Sequence, residues 1–172
     1  MIGTDDDFRS QVGALLPKLR RFALALTGSP HDADDVVQTA IEKALSREEQ
    51  FRPGTRLDSW MYRIVQNIWI DQARTRKRRG EHADIDDAAL HIAGEDGRET
   101  TERRLMLRAA WSAFEGLSPE LRAAASLVIL NGASYQEAAE TLQVPIGTIM
   151  SRVARSRRAL EQAVGGERRA AQ

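Results

Sequence analysis

Apolar residues recur at three- and four-residue spacing along nearly the whole chain, and no window alternates with the period of two that a half-buried strand shows. The pattern predicts an all-α protein. A first helix is expected from about Asp7 to Leu26, with Val12, Leu15, Leu16, Leu19 and Phe22 inward and a kink or restart at Pro17. Thr27-Gly28 closes it. Ser29-Pro30 reads as an N-cap and first helical position, opening a second helix to about Ser46 with Val36, Val37, Ala40, Ile41 and Ala44 inward. After the Pro53-Gly54 turn a third helix is predicted from Leu57 to about Arg78.

Residues 80–100 break the pattern. They carry Gly80, Gly94, Gly97, acidic clusters and few large apolar groups, too little burial to offset ordering entropy, and are expected to form a flexible acidic linker. Helical spacing resumes at Thr101–Phe114, Ser118–Leu130, Ser134–Leu142 and Pro145–Val164. Two small helical domains are therefore predicted, residues 1–79 and 101–172, joined by the linker 80–100.

Composition narrows the possibilities. The 172 residues contain no cysteine, which excludes disulfides, thiolate metal sites and a cysteine nucleophile. No run approaches the roughly 18 apolar residues of a membrane span, and Asp5, Asp6 and Asp7 are unlike a signal peptide, so a cytoplasmic protein without membrane contact is expected.

The 25 basic and 25 acidic side chains cancel, but they are segregated. Residues 1–50 hold a net −3, 51–80 a net +6, 81–102 a net −7 and 103–172 a net +4. Two basic blocks around an acidic one suggest two surfaces for a polyanion.

Ser134-Tyr-Gln-Glu137 has capping-box spacing. Ala138, Ala139 and Leu142 would face inward, Gln143-Val144-Pro145 forms a tight connection, and Ile146, Ile149 and Val153 fill the space below a second helix. This is helix-turn-helix spacing. The second helix exposes Thr148, Ser151, Arg152, Arg155, Arg157 and Arg158, hydroxyls and guanidinium forks suited to phosphate or to guanine O6 and N7.

The run Ser134-Tyr-Gln-Glu-Ala-Ala-Glu-Thr-Leu142, then Val144-Pro-Ile-Gly-Thr-Ile-Met-Ser-Arg152, resembles region 4 of extracytoplasmic-function (ECF) sigma factors, as does the lead-in Leu117-Ser-Pro-Glu-Leu-Arg122. The resemblance implies −35 promoter contacts by Tyr135, Thr148, Met150, Ser151, Arg152, Arg155, Arg157 and Arg158. Gln143 stands where that family often has Gly or a small residue. Met150 and Ala154 stand where many members carry basic or aromatic side chains.

The N-terminal half carries the second part of the resemblance. Asp32-Ala-Asp-Asp-Val-Val-Gln38-Thr39 looks like the family's region 2 signature. It implies that Asp32, Asp35, Gln38, Thr39 and Glu42 dock on the β′ clamp helices of core RNA polymerase, with β also in contact with the protein. Taken bare, carboxylates in a helix's first turns also simply suit its dipole.

Phe51–Asn67 and Ile68–Arg79 hold four of the nine aromatics amid the densest basic block, the combination that single-stranded DNA binding uses. For Trp60 and Trp69 the spacing favours a core role over base stacking. The segment resembles the family's promoter-melting region. That implies a pocket for a flipped −10 base at Asn67 and a turn around Gln66–Asp71, with Trp60, Arg63, Arg74, Arg76, Lys77, Arg78 and Arg79 also on the −10 DNA.

About 20 flexible residues span roughly 25 Å on average and reach roughly 70 Å, enough to serve two separated promoter elements. The resemblance further implies an anti-sigma factor as partner, a role in stress response, and no cofactor or catalysis. Two binding functions compete: a sigma-like mimic that sequesters an anti-sigma factor, and a plain helix-turn-helix repressor. An enzyme is least supported, because His31, His82 and His91 are scattered and no nucleophile–base pair or phosphate loop is visible.

Overall fold

The computed structural model describes residues 5–52, 54–79 and 101–170, and among these every regular element is helical. The expected linker, 80–100, lies outside the described residues. In chain order the helices are α1 (Asp5–Thr27), α2 (Pro30–Leu45), a 3₁₀ turn (Glu48–Gln50), α3 (Leu57–Arg79), α4 (Thr101–Glu115), α5 (Pro119–Ala125), a π turn (Ser126–Leu130), α6 (Tyr135–Leu142) and α7 (Ile146–Ala170).

Helices α1, α2 and α3 form one bundle around Leu19, Phe22, Leu26, Val36, Ala40, Met61 and Val65, all buried. Gly28 turns the chain with φ +75°, a left-handed conformation natural to glycine. The Ser29 hydroxyl then accepts from the Asp32 backbone N–H at 3.3 Å, and Pro30 opens α2, as the sequence predicts.

Helix α1 does not restart at Pro17: it runs through as one helix, and Pro17 and Gly13, whose carbonyl loses its partner, are both exposed, so water can satisfy that oxygen. Leu16, expected inward, is 41% exposed.

The second bundle packs α4, α5 and α6 around α7, with Phe114, Leu127, Ala138, Ile149 and Val153 buried. The capping box of α6 is present in full. Glu137 N–H donates to the Ser134 hydroxyl at 3.2 Å, and Ser134 N–H donates to a Glu137 carboxylate oxygen at 2.8 Å. Gln143 supplies the turn in the left-handed conformation, φ 53°, ψ 46°.

The predicted helix Ser118–Leu130 instead widens into the π turn, where Asn131 N–H and Asn131 Nδ2 both donate to the Ser126 carbonyl, at 3.1 and 2.9 Å.

The bundles pack against each other. Helix α1 meets α5 and the π turn, and α3 meets α6. Arg122, half-buried, donates to the Glu115, Leu117 and Leu26 carbonyls at 2.7, 3.2 and 3.1 Å, the last across the seam. Arg21 reaches the Leu130 carbonyl at 3.1 Å. Glu115 accepts from the Trp111 indole at 2.7 Å, yet burial raises its pKa above the ordinary carboxylate range.

Candidate nucleic-acid interface

Three aromatic rings set the wall of region 51–79. Phe8 of α1, Phe51 of the loop and Trp60 of α3 have centroids 5.6 to 6.3 Å apart, and together fix the loop Phe51–Arg56 against the start of α3. A cleft of about 560 Å³ opens beside them, lined by Arg52, Arg56, Trp60 and Arg63 together with Gln50, Gly54, Thr55, Ser59 and Glu140. Arg63 Nε is buried and has no hydrogen-bond partner among the described residues, so one donor of its fork is unmet.

Arg56 binds Asp58 in bidentate fashion, Nε at 3.1 Å and Nη2 at 2.6 Å. That hydrogen bond is the main cause holding the Asp58 carboxyl below its usual pKa. Trp60 is half-buried against the aromatic cluster and the cleft, whereas Trp69 is core. Burial, with Asp58 second, pushes the Tyr62 hydroxyl up to about 12, and its ring meets Phe22 edge-on at 4.9 Å.

The remaining −10 candidates lie along α3. Gln66–Asp71 is continuous helix, as the third helix expected from Leu57 to about Arg78 requires, with Ile68 and Trp69 buried against the bundle. Gln66 is half-buried, while Asn67, Asp71 and Arg74 are exposed. Arg78, also exposed, lies 3.4 Å from the Arg74 carbonyl and the Thr75 hydroxyl. Arg76 donates to Asp32 at 2.7 Å, both half-buried. The Lys77 and Arg79 side chains lie outside the described residues.

Sequence reasoning missed Arg52 and Arg56, which sit in a loop and come beside Arg63 only through the fold. The signal available was the Arg-Pro-Gly-Thr-Arg run itself.

On α2, the other candidate residues form one polar stripe. Asp35 is exposed with the His31 ring 3.9 Å away, the Thr39 hydroxyl donates to the Asp35 carbonyl at 2.8 Å, and Gln38 donates to Glu42 at 3.1 Å. Asp32 stands apart from them, tied to α3.

On α7, Ile149, Val153 and Ser156 are buried, which turns Ser151, Arg155 and Arg158 outward along one stripe, with the half-buried Thr148 and Arg152 at its edge. Met150, 53% exposed, and Arg157 lie on the other flank of the buried face. Tyr135 is half-buried at the start of α6. The Ser156 hydroxyl lies 2.9 Å from the Arg152 carbonyl and 3.3 Å from the Leu121 carbonyl, pinning α7 to α5.

Comparison with known proteins agrees with this geometry. Residues 12–79 match the family model of Sigma-70 region 2, and residues 107–160 that of Sigma-70, region 4. The chain is 35% identical to the ECF RNA polymerase sigma factor EcfG of Rhodopseudomonas palustris, over 88% of this chain and 82% of that protein. It is 33% identical to the ECF RNA polymerase sigma-E factor of Escherichia coli K12, over 77% and 74%.

Among solved structures, the sigma factor RpoE of Bartonella quintana, in complex with the anti-sigma factor NepR, superposes with a TM-score of 0.77 at 29% identity. The match covers 92% of this chain and 97% of that one. CnrH, in complex with the cytosolic domain of CnrY, shares the fold with a TM-score of 0.70 at 23% identity, over 95% and 91%. The chain belongs to the ECF family of RNA polymerase sigma factors, DNA-binding proteins of transcription initiation.

Proposed function

We propose that this sigma factor docks on core RNA polymerase through α2, reads duplex −35 DNA with α7, and holds the melted −10 strand at α3 and the cleft beside it. The organisation is two working domains, 1–79 and 101–172, with 80–100 as the tether. The observation that carries the reading is the pairing of a capping-box helix-turn-helix, whose second helix presents Ser151, Arg155 and Arg158 on one stripe with Thr148 at its edge, with a separate arginine-lined aromatic cleft.

Each surface suits a different substrate. The major groove admits an α-helix, and the hydroxyls and guanidiniums of the α7 stripe match base edges and phosphates. The cleft offers an aromatic ring for an unstacked base and guanidiniums for its phosphates, contacts that offset the few kcal/mol of unstacking. The polar stripe Asp35, Gln38, Thr39 and Glu42 is exposed and self-bonded, ready to exchange its hydrogen bonds for those of a protein partner. Nothing in this scheme is catalytic; the chain positions polymerase and strand.

An anti-sigma factor is the expected regulator, consistent with the RpoE–NepR and CnrH–CnrY complexes. The test is permanganate footprinting of holoenzyme on a cognate promoter. Wild type is expected to expose −10 thymines, and Asn67→Ala to impair that melting while duplex −35 binding persists. Normal melting by Asn67→Ala removes Asn67 from the role; no melting by wild type removes the −10 reading itself.

A further inference from the structure

Two rows run along the exposed face of α7. One is polar, with Ser151, Arg155 and Arg158. The other is apolar: Ile146, Met150 and Ala154, spaced by four residues and all exposed. Among the described residues five large apolar side chains are exposed, and two of them, Ile146 and Met150, stand one turn apart in this row. Single exposed apolar side chains are ordinary on a protein surface. A pair of them on the helix proposed to read DNA lies where base edges would come. The core beneath is filled by Ile149 and Val153 of the same helix, so the bundle does not use Met150.

Small residues separate the two rows. At 100° per residue Gly147 and Ala154 lie between Met150 and Ser151 around the helix. A Cβ built on Gly147 would meet no packed neighbour within 4 Å. Glycine weakens a helix, and nothing in this fold requires it there. The result is a shallow trough, with a thioether on one side and a hydroxyl and a guanidinium on the other.

We propose that Met150 is a specificity-determining residue of the −35 contact, its side chain packing on the C5-methyl group of a thymine in the major groove. The proposal rests on α7 reading duplex −35 DNA, and it names the base pair preferred there. Methionine carries no donor for a phosphate, and its sulfur is a weak acceptor, so Met150 is no backbone clamp as Arg155 or Arg158 can be. Of the groups that base pairs present in the major groove, only the thymine methyl is apolar. Cytosine at the same place would press its N4 amine donor against the apolar row without a partner, which penalises it against thymine. The unbranched, flexible methionine side chain can follow the methyl group, and the trough at Gly147 and Ala154 lets the base edge approach.

The test uses holoenzyme assembled from the full chain and core polymerase, with a duplex pool randomised across the promoter region. Selection is expected to enrich two blocks. Each thymine of the upstream block, on either strand, is then replaced singly by deoxyuridine, which removes only the C5-methyl group. At one position wild type is expected to lose about three- to fivefold in affinity, the worth of one buried methyl group. Met150→Ala, a change at an exposed position, is expected to bind the thymine and deoxyuridine sites alike. If no replacement weakens wild type, or if Met150→Ala keeps the discrimination, the methyl contact is overturned. Ser151→Ala with Arg155→Ala separates this result from the reading beneath it. A loss of affinity for the selected site supports α7 as the reader whatever the methyl result. No loss, or no enriched upstream block, overturns the −35 reading and the proposal with it.

Discussion

Arg76 Nη1 donates to Asp32 Oδ2 at 2.7 Å, joining the helix proposed to dock on polymerase to the helix proposed to hold the −10 strand. The partners are 44 residues apart in sequence and equally half-buried. The pair ties α2 to α3 beside their packed core. A double-mutant cycle on Asp32→Asn and Arg76→Gln, followed by urea unfolding, is expected to return a coupling of about 1 kcal/mol. Coupling near zero would mean that the two helices are set by core packing alone.

Gln143 holds a left-handed turn without being glycine. Such a conformation costs a side-chain-bearing residue about 1–2 kcal/mol, of which glycine's extra freedom in the unfolded chain returns part. Gln143→Gly is expected to raise stability by about 0.5–1 kcal/mol, read as a higher thermal midpoint. A lower midpoint would show that the Gln143 side chain contributes more than its backbone costs.

Arg155 lies on the outward stripe of α7 with Ser151. Arg155→Ala is expected to cost about 1–3 kcal/mol at a cognate −35 element and little on unrelated duplex. Binding titrations that weaken equally on both would reduce it to a phosphate contact.

Asp58 contributes to stability on the acid side. Its folded pKa lies below the unfolded value, first because of the Arg56 hydrogen bond, so its contribution is complete above about pH 4 and is lost as pH falls through the lower folded value. Asp58→Asn is therefore expected to flatten the fall in thermal midpoint below about pH 4 relative to wild type. An unchanged acid slope would assign that loss to other carboxylates.

The helices were legible in the sequence because local chemistry decides them. Ser29-Pro30 and Ser134-to-Glu137 set helix starts within a few residues, and the inward Val36, Ala40 and Ala138 follow the helical period. Pro17 does not end α1, and the exposure of Pro17 and Gly13 that lets water satisfy the freed carbonyl is a tertiary fact. The third helix was legible through Gln66–Asp71 because no breaker residue stands there and Ile68 and Trp69 bury on the helical period.

The cleft was half legible. Trp60 and Arg63 stand out in the basic block, but Arg52 and Arg56 gain meaning only when the loop folds beside α3. Glu137 and Glu140 reach the cleft from about 80 residues away. Arg76 suits a phosphate contact from sequence alone, and its pairing with Asp32 comes only with the fold. Charge and period mark surfaces, and pairing between distant elements decides which charges remain available.

Sigma activity is tested by run-off transcription. Purified protein, core polymerase and genomic fragments are combined after removal of any inhibitor. Discrete start sites preceded by a common −35 and −10 pair, dependent on this chain, are expected. Transcripts that are absent, or identical with core polymerase alone, would contradict it.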